Sequence, residues 1–435
     1  MAPRLLIELL RDSYSADDLR RVQAMLDEHD TLAFARLRTG LFSAATVEGA
    51  DRSSGYHYVW SRDNVYVGRA HFVAGKMQEA ADVARALLTF YAKYRSRFDA
   101  IISGAADPND VSQRPHVRFD GETLTEITSQ RWSHAQNDAI GYVLWYCATL
   151  LSHGVFQATT TEWETLWLFP AYFKAIRYWE DQDSGHWEEV RKISASSIGV
   201  VVAGLDAWLR LVRDERMARP DALNRRDIEE STTELAARGT RALDDILPSE
   251  CIQDSRRQRR PSDAALLFLL YPLRVVAEEM EDQIIANCER DLKGEIGFRR
   301  YNGDSYWAPD YDIKLSPQDR TRDFSEDMET RDALLPHAGQ EAQWGIFDAI
   351  VSAHFGLRYA RSGNAHDRER QTEYLNRALR QITTGDERTP PWRCAELYYL
   401  RRGVYVPNPH VPLQWAQANL LVALNAMRET IKRPS

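Results

Sequence analysis

Two adjacent carboxylates are the residues best suited to catalysis in this sequence. Glu188 and Glu189 directly follow Trp187 and precede a long apolar run. A carboxyl group against an indole face is poorly solvated, which raises its pKa and lets it remain protonated as a general acid. A solvated acidic turn would have the same residues. The pattern therefore indicates either a general acid or a surface turn, and other clusters must decide between them.

Four further clusters combine charged and aromatic residues at predicted helix starts or in predicted loops. Their principal members are Arg62 and Asp63, Trp132 and Asp138, Arg300, Tyr301 and Asp304, and Glu396. Each has a plain structural interpretation as a helix cap, a local salt bridge, a surface turn or a packed loop. Each also fits polar side chains that bind ligand hydroxyls beside a flat aromatic wall.

The elements that must position these clusters are mainly helices. Apolar residues recur at helical spacing through most of the chain, and strand signals are few. The predicted helices cover about 62–97 with a break at Gly75, 135–152, 161–181, 194–213, 227–246, 263–280, 282–292, 340–361, 366–384 and 411–431. Long loops at about 40–60, 98–134, 248–262, 293–335 and 385–410 carry the clusters. Long ordered loops on a helical scaffold are usually functional.

The chain organisation predicts a single all-α domain over residues 1–435. No Gly-rich, Ser-rich or Pro-rich linker divides the 435 residues, and no charge block marks a tail. About a dozen helices in a chain of this length suit helical hairpins arranged in a closed ring. The short basic run RRQRR at 256–260 is interpreted as a solvated loop.

Composition and charge exclude several classes of function. The chain has 55 Lys and Arg against 64 Asp and Glu, a net charge of −9, so we expect no nucleic-acid partner. No uncharged apolar stretch is long enough for a membrane span, and no signal peptide is evident. The four cysteines lack metal-site or redox spacing. These features predict a cytoplasmic protein without a metal or cofactor, and they leave the oligomeric state open.

Taken together, the clusters resemble a known family, the glucoamylase-type glycoside hydrolases of family 15, which includes a related domain of the phosphorylase kinase α and β regulatory subunits. The resemblance runs in order over about residues 37–427. VWSRDNVY (59–66), ASSIG (195–199), PSDAALL (261–267), AELYY (395–399) and PLQWAQANL (412–420) resemble the kinase-subunit branch. WSHAQNDA (132–139), WEEV (187–190) and RRYNGD (299–304) resemble the hydrolases.

The resemblance implies a fold and a division of roles. The fold is an (α/α)6 barrel, a six-hairpin toroid, expected here without the N-terminal β-sandwich that bacterial members often carry. Glu188 matches the general acid and Glu396 the general base, although the residue after the base is Leu397 where many hydrolases have Gln. The implied substrate contacts are Arg62, Asp63, Trp132, Asp138, Trp187, Glu189, Arg300, Tyr301 and Asp304. Trp60 and Trp307 could add stacking walls.

The implied function is an exo-acting, inverting α-glucosidase that releases β-glucose from small α-glucosides or oligosaccharides. Inversion needs a protonated and an ionised carboxyl about 6.5–9.5 Å apart, with water between the second one and the sugar. Glu188 and Glu396 lie far apart in sequence, so only the fold can bring them together. The alternative is a non-catalytic regulatory or sugar-binding domain like that of the phosphorylase kinase subunits.

Overall fold

A computed structural model describes residues 2–45, 54–214 and 224–433, and helices dominate them. The helices are α1 (Arg4–Ile7), α2 (Ala16–Glu28), α3 (Ser61–Val73), α4 (Met77–Lys93), α5 (Arg95–Ile102), α6 (Asn137–Ser152), α7 (Thr160–Ile176), α8 (Ala195–Arg213), α9 (Arg225–Ile246), α10 (Glu278–Asp291), α11 (Tyr311–Lys314), α12 (Met328–Leu334), α13 (Phe347–Ser362), α14 (Ala365–Arg380) and α15 (Gln414–Ile431). The predicted break at Gly75 is confirmed, because α3 and α4 flank this residue at φ +80°.

Six of the helical elements form a closed inner ring. In ring order they are α3, α6, α8, the short segment 264–273, α13 and α15, and α15 packs on α3 to complete the circle. The outer layer consists of α4, α7, α9, α10, α14 and α2. Helix α4 packs on α3, α9 on α8, α14 on α13 and α2 on α15, while an ion pair between Arg358 and Asp282 joins α10 to α13. This architecture is the predicted (α/α)6 barrel.

The inner helices are buried on nearly all sides, which explains their apolar composition. Helix α8 is long and apolar enough to cross a membrane, but 89% of its most apolar window is buried inside the protein. It approaches α6 very closely, since a Cβ on Gly204 would lie 2.8 Å from the carbonyl oxygen of Gly141. Helix α8 is therefore a core helix whose packing depends on small residues.

The predicted helix over 263–280 is wrong. The structure has a 3-10 turn, Ala264–Leu266, and a five-residue π turn, Leu269–Leu273. Pro272 lies inside the second turn and has no N–H for a helical hydrogen bond, and Arg274 ends it in the left-handed region at φ +58°. Helix α10 then begins at Glu278, so one apolar run belongs to two elements.

Two small antiparallel sheets connect the loops at one end of the barrel. The first contains β1 (Val59–Trp60), β2 (Arg118–Asp120) and β3 (Thr125–Glu126), and the second contains β4 (Gln343–Trp344), β5 (Leu397–Arg401) and β6 (Val404–Pro407). Strand β1 leads directly into α3. Strand β5 begins at the residue after Glu396. The sheets thus fix the chain just before two inner helices, where predicted site residues lie.

Candidate active site

A cavity of about 1060 Å³ opens at the N-terminal ends of the inner helices. Its walls come from the turns that precede these helices and from their first residues. The predicted site residues that line it are Arg62, Asp63, Trp132, Trp187, Glu188, Glu189, Arg300, Tyr301, Asp304 and Glu396. The fold therefore brings two carboxylates that are distant in sequence, Glu188 and Glu396, into one cavity.

Glu188 lies in a tight turn on one wall of this cavity. It follows the 3-10 turn Gly185–Trp187 and has a left-handed backbone, with φ +61°. Arg62 Nη2 donates a hydrogen bond to its Oε1 at 3.1 Å. Burial raises the pKa of Glu188 above its ordinary value, although Arg62, Arg118 and a hydrogen bond from Trp60 oppose the shift. A carboxyl with a raised pKa can hold the proton that a general acid donates.

Asp138 lies behind Arg62 and not on the cavity surface, which corrects its predicted role as a direct substrate contact. Its side chain is fully buried, and Arg62 Nη1 donates to its Oδ2 at 3.1 Å and to Gln136 at 3.0 Å. The charge of this buried carboxylate is thus paired with a cation through Oδ2, while Oδ1 has no hydrogen-bond partner among the described residues. Asp138 holds Arg62 in place, and Arg62 in turn faces the cavity.

Asp63 is the carboxylate beside Arg62 that does face the cavity. In the part of the chain that the structure describes, no side chain or backbone group donates a hydrogen bond to it. Burial raises its pKa to about 7, which the positive charge of Arg62 partly offsets and the negative charges of Glu188 and Glu396 reinforce. Its oxygens are therefore open to hydroxyl donors of a bound ligand.

Glu396 is buried on the cavity wall and accepts hydrogen bonds from three neighbours. Tyr56 Oη donates to its Oε1 at 2.6 Å, His410 Nδ1 lies 2.9 Å from its Oε2, and Asn408 Nδ2 also donates to Oε2. The stacked rings of Tyr56 and His410, 3.7 Å apart, hold both donors in place. Three polar side chains thus converge on this carboxylate, and His410 donates to it when its Nδ1 carries the proton.

Sequence reasoning missed these three partners. Tyr56 belongs to the YHYVW segment before α3, while Asn408 and His410 belong to the PNPHVP turn before α15. The available signal was weak: polar side chains between prolines, in a predicted loop that also holds Glu396. Their convergence on one carboxylate depends on contacts across the barrel, and no local spacing encodes it.

Arg300 is the centre of a second charged network. Its Nε and Nη2 donate to Asp304 at 2.6 and 2.7 Å, and Nη2 also donates to Glu189 at 3.0 Å. Tyr301 Oη donates to the same Glu189 oxygen at 2.7 Å. The remaining nitrogen, Nη1, has no hydrogen-bond partner within the described ranges. Arg300 therefore retains one donor group for a ligand in the cavity.

Glu189 anchors this network. Arg260 Nη2 lies 3.4 Å from its second oxygen, so both of its oxygens are occupied. Burial alone would raise the pKa of Glu189, but Arg300, Arg260 and Lys192 outweigh that effect and lower it. Glu189 lines the cavity as expected, yet its contacts hold Arg300 and Tyr301. The interpretation of RRQRR as a solvated loop is confirmed for the exposed Arg256, Arg257 and Arg259, and it is wrong for Arg260, whose side chain is buried.

Aromatic side chains form much of the cavity wall. Trp60, Trp132 and Trp187 line it as expected, whereas Trp307 is only 1% exposed and packs against Tyr311 in the core. The sequence interpretation did not single out Trp344 and Trp415, which also line the cavity. Within residues 2–45, 54–214 and 224–433, no three His, Cys, Asp or Glu side chains are arranged to hold a metal ion.

Comparisons with known proteins agree with this architecture. The family model of glycosyl hydrolases family 15 matches residues 24–308. A glycosidase variant in complex with glucose is 16% identical, with a TM-score of 0.65 over 96% of this chain and 99% of that one. The glucoamylase from Saccharomycopsis fibuligera is 12% identical, with a TM-score of 0.59 over 97% of this chain and 99% of that one.

A bacterial glucoamylase complexed with acarbose is 15% identical, with a TM-score of 0.58 over 90% of this chain and 53% of that one. At these identities the structural likeness establishes the fold alone. A search of curated protein sequences found no match. Glu396 lies outside the residues matched by the family model, so its role depends on the geometry of the cavity.

Proposed function

Since the chain belongs to the glycosyl hydrolases of family 15 and is therefore a glycoside hydrolase, we propose that it is an exo-acting, inverting α-glucosidase. It would remove terminal α-linked glucose from small glucosides or oligosaccharides and release β-glucose. The observation that carries this proposal is the pair of carboxylates on one cavity, Glu188 with a raised pKa and Glu396 with three hydrogen-bond donors.

The two environments support opposite roles in the reaction. Protonated Glu188 gives its proton to the glycosidic oxygen as the bond from that oxygen to the anomeric carbon breaks. A water molecule forms the new carbon–oxygen bond from the opposite face, and ionised Glu396 takes its proton. Attack from the opposite face inverts the anomeric configuration, so an α-glucoside yields β-glucose.

The hydrogen bonds of Glu396 favour one of its oxygens as the proton acceptor. Oε2 already accepts from both Asn408 and His410, which occupies its two lone pairs. Oε1 accepts only from Tyr56 and retains one lone pair. We therefore assign the proton transfer from water to Oε1, with Tyr56 and His410 holding the carboxylate in orientation.

The cavity also supports recognition of a chain end. Below it the barrel is filled by packed aromatic rings, including Tyr66, Phe268 and Trp415, so a ligand would enter from one side only. Arg62 and Asp63 would bind hydroxyls of the terminal sugar, and Arg300 Nη1 a hydroxyl of the leaving group. The glucose and acarbose bound by two of the similar proteins support a carbohydrate substrate.

We further propose that the protein acts in the cytoplasm. All four cysteine thiols are buried and none forms a disulfide, which suits a reducing compartment.

The experiment that tests the proposed function follows the first product by NMR. The protein is incubated with maltose, isomaltose, trehalose and 4-nitrophenyl α-glucoside. We expect β-glucose as the initial product from at least one of them, and loss of turnover of the unactivated disaccharides in both Glu188→Gln and Glu396→Gln. With 4-nitrophenyl α-glucoside, which releases a single glucose, initial release of α-glucose would contradict inversion. Sugar binding without turnover by the unmodified protein would contradict the proposed enzymatic activity and favour a sugar-binding role.

A further inference from the structure

Arg118 is a buried cation at the edge of the cavity wall. It lies on β2 directly opposite Trp60 of β1, and its side chain belongs to a residue only 2% exposed. Its guanidinium carbon lies 3.8 Å from the ring centre of Trp132, 5.0 Å from that of Trp60 and 4.8 Å from that of Tyr58. Three aromatic rings thus surround it, and two of them line the cavity.

Within residues 2–45, 54–214 and 224–433, this cation has no carboxylate in ion-pair contact. Among the described residues its only side-chain acceptor is the amide oxygen of Gln130, 3.1 Å from Nη1, and its Nε has no hydrogen-bond partner. Arginine is almost never buried unless it is paired. Burial lowers the pKa of Arg118 to about 10, and Glu188 is the group that most strongly opposes this shift.

The contrast with Arg62 indicates what Arg118 does. Arg62 also acts on Glu188, but its charge is already balanced by the buried Asp138 at 3.1 Å. The charge of Arg118 is balanced by nothing comparable in the described chain, and aromatic faces stabilise a cation only in part. Glu188 lines the same cavity as Trp60 and Trp132, the two rings that Arg118 contacts. A negative charge that forms on Glu188 during the reaction would therefore lie near a positive charge that no described carboxylate balances.

We propose that Arg118 is a positioning residue for the acid step: its charge stabilises the carboxylate that Glu188 becomes when it gives up its proton, and its planar group fixes Trp132 and Trp60. The inference rests on the proposed hydrolysis. In that step the O–H bond of Glu188 breaks, the proton joins the glycosidic oxygen, and the leaving alcohol takes the bonding electrons of the glycosidic bond. No further reactant is required.

Two substitutions separate the charge of Arg118 from its shape. Arg118→Gln removes the charge, so Glu188 becomes a weaker acid and the basic limb of the pH profile of kcat/KM moves to higher pH. For maltose, whose leaving group needs protonation, we expect kcat to fall about 3- to 10-fold. For 4-nitrophenyl α-glucoside, whose leaving group departs without it, we expect less than a 2-fold loss by the same reasoning.

Arg118→Lys keeps the charge and loses the planar group. We expect its basic limb to coincide with that of the native protein, while KM rises and tryptophan fluorescence changes because Trp132 is no longer fixed. Arg85→Gln is the matched control. Arg85 also lies over an aromatic ring, Phe156, at 5.0 Å, but on the outer helix α4. We expect its pH profile to equal that of the native protein.

The outcomes distinguish this inference from the proposed function. A native protein that hydrolyses neither substrate contradicts the proposed function itself. Native hydrolysis with equal losses on both substrates and an unmoved basic limb in Arg118→Gln contradicts the role of Arg118 alone. If Arg118→Gln fails to fold, Arg118→Lys still tests the inference. A shift of the basic limb of its pH profile, although the positive charge is retained, contradicts the inference.

Discussion

The two carboxylates of the cavity have different kinds of neighbours. Glu188 is in ion-pair contact with Arg62 and keeps 17% of its side chain exposed, and the charges of Arg62 and Arg118 lower its pKa against the larger effect of burial. Glu396 is nearly fully buried and touches a phenol, an amide and an imidazole, with no arginine or lysine in ion-pair contact within the described chain. The first environment is charged, and the second consists of directed hydrogen bonds.

This contrast teaches that nearby charge alone does not decide the protonation of a buried acid. Two cations act on Glu188, yet burial outweighs them and its pKa is raised. Glu396 instead accepts three directed hydrogen bonds from Tyr56, Asn408 and His410. One residue type thereby acquires two chemical roles from its surroundings.

The residues and strands that hold the two carboxylates in place differ as well. The turn that holds Glu188 lies on a layer of buried acids, in which Asp263 accepts from Trp187 Nε1 at 2.9 Å and Glu250 accepts from Ser196 Oγ at 2.7 Å. Burial is the largest of the effects that raise the pKa of Asp263 to about 6 and that of Glu250 to about 8. Glu396 is instead fixed by strands β4 and β5.

The largest expected effect comes from removing each carboxylate in turn. Glu188→Gln should lower kcat for maltose about 10²–10⁴-fold, and far less for 4-nitrophenyl α-glucoside, because only the first leaving group needs a proton. Glu396→Ala should lower kcat about equally for the two substrates, since the activation of water does not depend on the leaving group. Steady-state kinetics with both substrates measure this difference.

Azide provides the control for this pair. It can enter the space left in Glu396→Ala and attack without a base, so we expect restored turnover and β-glucosyl azide as the product. Azide should not restore maltose hydrolysis in Glu188→Gln. Rescue of the Glu188 variant alone would reverse the two assignments.

The second effect concerns the hydrogen-bond donors that contact Glu396, the proposed base. His410→Phe retains a ring stacked on Tyr56 but removes the N–H that Glu396 accepts. A hydrogen bond to a charged group contributes about 1.5–3 kcal/mol, so we expect kcat to fall by about 10-fold or more, equally for both substrates and with little change in KM. His410→Asn can place an amide N–H near Oε2 and should recover part of the loss. A decrease in kcat seen only with maltose would mean that His410 supports the protonation of the leaving group and not the activation of water.

Much of the fold could be predicted from the sequence, because each inner helix must bury its apolar residues and therefore shows helical periodicity. The boundaries of α6, α8 and α15 agree with the sequence prediction to within a few residues. The segment 263–280 could not be predicted, because an apolar run continues through Pro272 and periodicity alone does not show where the chain turns.

The candidate site was predictable where its residues are adjacent in sequence. Glu188 follows Trp187 in the chain, and Arg62 adjoins Asp63. The partners of Glu396 come from segments on either side of the barrel, so their convergence is a tertiary property. The family resemblance assigned Asp138 to the substrate. The local pattern left its role open, because a polar residue at a buried helix start has the same pattern whether it faces a cavity or a partner such as Arg62.

The third effect tests the buried acids beneath Glu188 through the pH dependence of stability. Burial raises the pKa of Glu250 to about 8, so the folded protein holds a proton that the unfolded chain releases at lower pH. Stability should therefore fall as pH rises from about 4.5 to 8, by on the order of a few kcal/mol. In Glu250→Gln, an amide replaces the protonated acid and can donate to Ser196, so we expect a smaller fall.

Urea unfolding at pH 5, 7 and 9 measures this difference. The native protein and Glu250→Gln should differ most at pH 9, with the variant the more stable. Asp183 and Asp263, whose pKa values burial also raises, to about 7 and about 6, should leave the variant some pH dependence. Parallel curves for the two proteins would mean that Glu250 does not release its proton in this range.

The smallest expected effect comes from Tyr306, which reaches Glu396 only through a hydrogen bond to Tyr56. Tyr56 gives its only O–H hydrogen to Glu396, so Tyr306 must be the donor in the 3.0 Å contact between the two hydroxyls. Tyr306→Phe removes one neutral hydrogen bond, about 0.5–1.5 kcal/mol, of which only part reaches the carboxylate. We expect kcat to fall about 2- to 5-fold on both substrates. Tyr311→Phe is the matched control, because the neighbouring Tyr311 hydroxyl has no hydrogen-bond partner among the described residues and its loss should leave kcat unchanged. If Tyr306→Phe affected maltose and spared 4-nitrophenyl α-glucoside, its hydroxyl would serve the acid step, and the separation of a charged acid side from a hydrogen-bonded base side would not hold.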